Sequence, residues 1–506
     1  MSNNLYRHLV RRYFGGQCED VFEVIHSKGT IYFKDIIQCL CEKYHPSKIA
    51  LIITKLIRHR LVEFSKEKPI LYSVNPRILF KMLRFPFYLK CSRYYFGKHS
   101  EEVLVALMIH GSLLLSEVLA YASLSATKDA KFGNIDPSRE VLLKKSIETL
   151  VEYQIVIPRD EKNQKIMKEA KFSEMDLKKF SKSDCVHEPQ FDWDVMVVLN
   201  MKTLDMQLRD RLICLSVKES IDPIANDVIS KIMCLLSSKI DISEDGDRPV
   251  VTQDELMKSF KKPPKFLVSY LDLLVNHEIN YLEISSTLGG RTFTCPFSAV
   301  IKNLLIRQLQ AVIRTLFKSE GLRIFNTILN NGLISYAEIE RIVLLPQKMF
   351  KQILPRLVST GFVSVLELSR TKEYTTETII NNYKVDLNRS FKVLLDFAKH
   401  SILRMQLRRD EVINSTKNLI SQRYNVERQL EYHINEVNHI KGETVKEQAK
   451  SSLDNHQESV ISLSSSINPA EQIDLAKNLA KANKLFVSEW EIQKTILFCD
   501  FYFNKI

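Results

Sequence analysis

The 506-residue sequence is poor in the residues that break structure, with 13 glycines and 15 prolines. That scarcity excludes collagen-like, mucin-like and largely disordered chains. Cysteine is sparse too. Its nine copies are scattered, Cys39 and Cys41 form the one close pair, and no CxxC occurs. With no apolar leader over residues 1–16, they read as reduced intracellular thiols. Long apolar runs are also missing. Residues 103–127 carry a single acid, Glu117, but His110-Gly111 interrupts them, which predicts two short buried helices rather than a membrane span. No GxxxxGK[ST] loop, HExxH or GxSxG occurs. Cys185, His187 and Glu188 form a lone cluster in a predicted loop, too little for a metal site. The sequence thus predicts no catalytic residues, no cofactor, no metal and no small-molecule substrate.

Apolar residues make up 45% and charged residues 26%, an ordinary globular balance, and the length suggests three or four domains at ~150 residues each. The net charge of +12 is concentrated at one end. Residues 1–100 hold 18 Lys and Arg against 7 Asp and Glu, and the remainder holds 54 against 53. A polyanion would meet the N-terminal region first. The bland alternative is a basic surface kept for solubility or for an acidic neighbour.

One junction recurs four times, as Leu56-Ile57-Arg58-His59-Arg60-Leu61-Val62, Leu150-Val151-Glu152-Tyr153-Gln154-Ile155-Val156, Leu274-Val275-Asn276-His277-Glu278-Ile279 and Leu357-Val358-Ser359-Thr360-Gly361-Phe362-Val363. Each copy ends a helix-period segment and opens an alternating one. Upstream of each lie two further helical segments, and Thr252 with Glu255 has capping-box spacing. Three helices followed by a β-hairpin make a winged helix. Hairpins are legible at 61–72, and at 279–293 around Leu288-Gly289-Gly290-Arg291. A set of unrelated helical bundles is the competing reading.

Residues 389–441 lack Gly and Pro. With Leu395 at a, the d positions are Ala398, Met405, Val412, Leu419, Val426, His433 and Ile440, while Arg409, Thr416 and Arg423 are polar a positions. After a polar stretch at 442–467, Asn468-Pro469-Ala470-Glu471 starts a second helix. Its apolar positions Leu475, Leu479, Ala482 and Phe486 are followed by a phase slip to Ile492, Ile496, Cys499 and Phe503. An antiparallel hairpin within one chain is expected, with a homodimeric coiled coil as the alternative. The fold class is therefore mostly α with small β wings: winged helices at 1–80, 99–160, 193–300 and 301–388, a basic and aromatic linker at 81–98, a lysine-rich linker at 161–192, and a coiled-coil arm at 389–506.

Phosphate contact needs Lys and Arg on a face the core does not use. On the third helix of the first unit, Lys48, Lys55 and His59 share one stripe opposite Ile49, Ile53 and Leu56, and Arg58 is a further candidate nucleic-acid contact. Lys66 and Lys68 fall at the expected wing tip. The acid-free window 68–100 adds Lys81, Arg84, Lys90 and Arg93 among Phe85, Phe87, Tyr88, Tyr94, Tyr95 and Phe96. Basic and aromatic side chains together suit opened strands, and they suit protein docking equally.

The run Met82-Leu83-Arg84-Phe85-Pro86-Phe87-Tyr88 resembles a signature of the large winged-helix subunit of RNA polymerase III, which is similar to the alpha subunit of transcription factor IIE. Arg323-Ile324-Phe325, residues 342–346 and 351–357, and the tail 491–501 extend the resemblance. It implies a non-catalytic nuclear subunit that binds the polymerase clamp beside two smaller partners, contacts DNA and no membrane, and helps initiation and promoter opening of small RNA genes. The connection at 158–190 is short for that family and lacks a compact basic cluster, which leaves the import route open. A winged-helix scaffold of another large assembly, without DNA contact, is the alternative.

Overall fold

The computed structural model describes residues 2–65, 69–125, 137–159, 195–240, 250–260, 264–287, 290–369, 379–442 and 469–504. The expected wing residues Lys66 and Lys68, the glycine turn at 288–289, the lysine-rich linker, the polar stretch after 442 and the Asn468 cap lie outside them. The chain is mostly helical and divides into two units, Met1–Arg307 with Asp500–Ile506, and Gln308–Cys499.

Within the first unit one topology occurs three times. In its first occurrence, helix Gly16–Lys28 leads to strand Thr30–Tyr32, helices Phe33–Leu40 and Pro46–Arg58, and strands Val62–Phe64 and Leu71–Val74. The last strand inserts between the other two, with Ile31 opposite Tyr72 and Glu63 opposite Ser73. Val21, Phe22, Ile25, Ile36, Ile49 and Leu56 form the core beneath it. The second occurrence begins with helix Lys98–His110 and the third with helix Pro223–Ile240, and their sheets have the same order. In the third, Thr252 and Glu255 close the expected capping box.

Two sequence boundaries need correction. Strand Met196–Leu199, read as the start of the third unit, is the central strand of the second sheet, where Val198 faces Ile157 and Val197 faces Leu113. Residues 81–98, read as a linker, are mostly helix, Arg77–Met82 followed by Phe85–Phe96. Tyr88 and Cys91 are buried there, because the aromatic residues at helical spacing supply a packing face.

The second unit holds a fourth sheet of the same order, from strands Ile334–Ser335, Ser364–Ser369 and Ile379–Lys384 around helices Tyr336–Val343 and Gln347–Ser359. The recurring junction has a physical basis. In the first, second and fourth copies a left-handed residue follows the helix: Arg60 (φ 59°), Gln154 (φ 54°) and Gly361 (φ 86°). The amides of Leu61, Ile155 and Phe362 then reach back to the carbonyls of Leu56, Leu150 and Leu357, at 3.0, 2.9 and 3.2 Å. This is a Schellman closure, which satisfies carbonyls that the helix end leaves open. The third copy differs. Its helix stops at Asn276, and positive φ moves to Asn280.

Two long helices, Leu387–Gly442 and Pro469–Asn504, complete the chain. On the first, Ala398, Ile402, Gln406, Arg409 and Thr416 are buried. Met405, Val412 and Leu419, the expected d residues, are only half-buried. On the second, Leu475, Ala482, Glu489 and Ile496 are buried at every seventh position. Leu479 and Phe486 are 37% and 38% exposed, while Ile496 and Cys499 of the expected second phase are buried. The acid Glu489 occupies the seam position that an apolar pattern skips.

Candidate nucleic-acid interface

Helix Pro46–Arg58 forms because Pro46 opens it and the His45 ring nitrogen Nδ1 accepts from the Ser47 amide at 3.4 Å. Its Ile49, Ile52, Ile53 and Leu56 face the core. Lys48, Lys55 and Arg58 are exposed on the outer side. The Lys48 ammonium stands 5.7 Å from the Tyr44 ring centre and that of Lys55 stands 5.6 Å from Phe14. No carboxylate pairs with these three cations among the described residues. Their charge is free to meet an anion.

His59 does not belong to this face. It is 8% exposed, with its ring edge-on to Phe14 at 4.8 Å. Burial, with Lys55, His110 and Arg58 adding repulsion, pushes its pKa down to about 4. At this depth the ring is not on the surface that a phosphate would meet, so this expectation is corrected.

Arg84 is corrected as well, being 2% exposed. Its Nη1 donates to Asp205 Oδ1 at 2.9 Å, and its Nη2 donates to Asp500. The Tyr88 hydroxyl donates to the same Asp205 oxygen, and Lys81 Nζ lies 3.1 Å from the other. Arg84, Tyr88 and Lys81 are therefore consumed by an internal ion cluster. Burial drives the Tyr88 hydroxyl well above its ordinary pKa. Of the remaining predicted cations, Lys90 and Arg93 are exposed, and Arg93 lies 3.5 Å from Glu101. Among the neighbouring aromatics, Tyr94 is 60% exposed with the Arg211 guanidinium 4.2 Å from its ring.

Sequence reading missed Asp205, Arg209 and Asp500. Arg209 stacks 3.9 Å from the Phe297 ring centre and 5.5 Å from that of Phe501, and its Nη2 pairs with Asp210 at 2.7 Å. One signal was present. Asp205 and Arg209 sit at i and i+4 inside the apolar stripe Leu204, Leu208, Leu212 of helix Met201–Ser220. Charges in a core-facing stripe announce buried pairing. Among the described residues, no three metal-ligating side chains converge, and no helix is long and apolar enough to cross a membrane.

Residues 309–385 match the family model described as the POLR3C C-terminal winged-helix domain. Over 466 residues the chain is 21% identical to DNA-directed RNA polymerase III subunit RPC3 of Mus musculus, covering 83% of this chain and 86% of that protein. The RPC3 of Rattus norvegicus is 20% identical over 464 residues, and that of Danio rerio 18% over 472, with the same shares covered. The chain is thus similar along most of its length to the RPC3 subunit of RNA polymerase III, and its residues 309–385 form a winged helix of the POLR3C C-terminal type.

Proposed function

We propose that this chain is a nuclear, non-catalytic subunit of DNA-directed RNA polymerase III. In this reading it carries four tandem winged helices and an antiparallel coiled-coil arm. The winged helices span about residues 1–80, 98–199, 201–294 and 309–385, and the arm runs from 387. It works beside two smaller subunits on the polymerase clamp and supports initiation and promoter opening of small RNA genes. The observation that carries the reading is the recurrence of one helix–helix–hairpin topology with one strand order, the fourth copy being the one the POLR3C family model matches.

The first winged helix is the one suited to DNA, because Lys48, Lys55 and Arg58 stand outward on the helix that enters a major groove in DNA-binding relatives of the motif. Backbone cations position a protein on a duplex without reading bases. The test is a salt titration of the full chain on two unrelated duplexes by fluorescence anisotropy. Lys48→Glu with Lys55→Glu should weaken both complexes alike and flatten the log–log salt slope by about 2, one ion release per lost phosphate contact. Absent or salt-insensitive binding would favour the scaffold reading, and binding that this pair of substitutions leaves unchanged would remove the first winged helix as the DNA-contacting module.

A further inference from the structure

The helical run Phe297–Asn331 is broken at Lys318, whose φ of 60° and ψ of −160° fall outside helical geometry. That backbone region is costly for any residue with a Cβ. The chain reverses there. Gln310 Nε2 donates to Asn326 Oδ1 at 3.0 Å, joining residues eight before and eight after the break. The turn is tight enough that a Cβ on Gly321 would lie 2.2 Å from the Phe317 Cβ. A groove lies beside this turn.

The groove has a volume of about 650 Å³ and is lined mainly by Arg314, Arg323, Asn326, Asn330 and Asn331, with Leu322 and Ile342 as its apolar members. No acid and no aromatic ring lines it. Arg323 Nη1 donates to the Val343 carbonyl at 3.4 Å, which pins that guanidinium and leaves its other N–H groups unassigned. Neither arginine forms an ion pair among the described residues. Two unneutralised guanidinium groups in a concave site recruit carboxylate or phosphate. The shape and lining decide between them. A groove of this volume cannot admit a duplex, and the absence of any ring removes the stacking platform that single strands use. Asparagine amides instead match a peptide backbone in both donor and acceptor character, and exposed Ile342 offers an apolar contact beside the charge.

We propose that this groove in the POLR3C-type winged helix binds an extended acidic protein segment, with carboxylates on Arg314 and Arg323 and an interleaved apolar side chain on Leu322 and Ile342. The proposal is independent of DNA binding by the first winged helix.

The experiment uses the full chain and a fluorescein-labelled ten-residue peptide of alternating Glu and Leu, with a ten-nucleotide oligo-dT as the competing probe. The peptide should bind in a salt-sensitive manner. Arg314→Ala and Arg323→Lys should each weaken it about tenfold with far-UV circular dichroism unchanged. Arg314 is exposed, so its truncation leaves the core intact. Lys48→Glu with Lys55→Glu should leave peptide affinity as it was. Peptide binding that survives both arginine substitutions overturns the proposal. So does absence of peptide binding, and so does preferential binding of oligo-dT that the same substitutions abolish.

Discussion

Arg84 Nη1 meets Asp205 Oδ1 at 2.9 Å, joining the helical segment after the first sheet to a helix 121 residues further along. Both residues are buried, and the Asp205 carboxylate also takes Tyr88 and Lys81 while Arg84 reaches Asp500. Charges this deep are tolerated only when every partner is present.

Removing one partner strands the other. Asp205→Ala should destabilise the chain by about 3–5 kcal/mol, because Arg84 keeps its charge and loses its main counter-ion. Arg84→Met should cost about as much, with Lys81 recovering part of it. Combining the two should cost less than the sum of the singles. Urea denaturation with a double-mutant cycle measures the coupling. Additive losses would show that the ion pair contributes nothing beyond packing.

His59 gives the fold a pH dependence of known sign. Burial first, then Lys55, His110 and Arg58, lower its pKa to about 4 from 6.5. Between these values the unfolded chain binds the proton and the folded chain does not, so stability rises with pH across that window. The contribution is fully present above pH 6.5 and is lost as pH falls through 4. It amounts to about 3–4 kcal/mol, at roughly 1.4 kcal/mol per unit. His59→Leu should flatten the change in denaturation midpoint between pH 7 and pH 4.5. An unchanged slope in that variant would assign the pH dependence to other groups.

The Schellman junctions predict opposite outcomes at equivalent positions. Gln154 holds a left-handed conformation that costs a side-chain-bearing residue about 1 kcal/mol, and glycine adopts it freely. Gln154→Gly should therefore raise stability by a few tenths to 1 kcal/mol, since its retained carbonyl still accepts from Asn200 Nδ2. Gly361→Ala should lower stability by at least 1 kcal/mol. Its φ is 86°, and the new Cβ would stand 3.1 Å from Val393 Cγ2. Thermal melts of both variants check the pair of signs.

These examples show what sequence pattern carries. The junction was legible because a Schellman closure needs apolar residues on both sides of a polar turn, as in Leu56-Ile57 and Leu61-Val62. The outward face of helix Pro46–Arg58 was legible because Ile49, Ile53 and Leu56 define a core stripe. Arg84 was misread because positive charge was assigned to solvent, while its neutralising partners Asp205 and Asp500 lie far away in sequence. Strand Met196–Leu199 was misplaced for a related reason. A strand's neighbour is set by pairing across space, and a long insertion hides which sheet it closes. Glu489 was skipped because a seam read from hydropathy has no place for a buried acid.

That acid supports a prediction about specificity. Arg409 Nη1 meets Glu489 Oε2 at 3.0 Å, and the Arg409 guanidinium lies 5.4 Å from the Phe486 ring centre. Buried Gln406 and Gln493 lie near the pair in sequence, and their side-chain oxygens have no hydrogen-bond partner among the described residues. Such polar layers cost stability, and they penalise any shifted register in which a charge would face an apolar residue. Glu489→Ala should destabilise by about 3–5 kcal/mol, since it leaves Arg409 buried without its carboxylate. Arg409→Leu combined with Glu489→Leu should be neutral or stabilising by about 1–4 kcal/mol, because a leucine pair needs no desolvation of charge. The gain should carry a loss of specificity. A seam that has lost its ion pair discriminates less between partners, so size-exclusion chromatography with light scattering should detect a larger dimer fraction in the double variant than in the parent. A double variant that is as unstable as Glu489→Ala, or whose dimer fraction equals that of the parent, would show that the ion pair does not set the register of these helices.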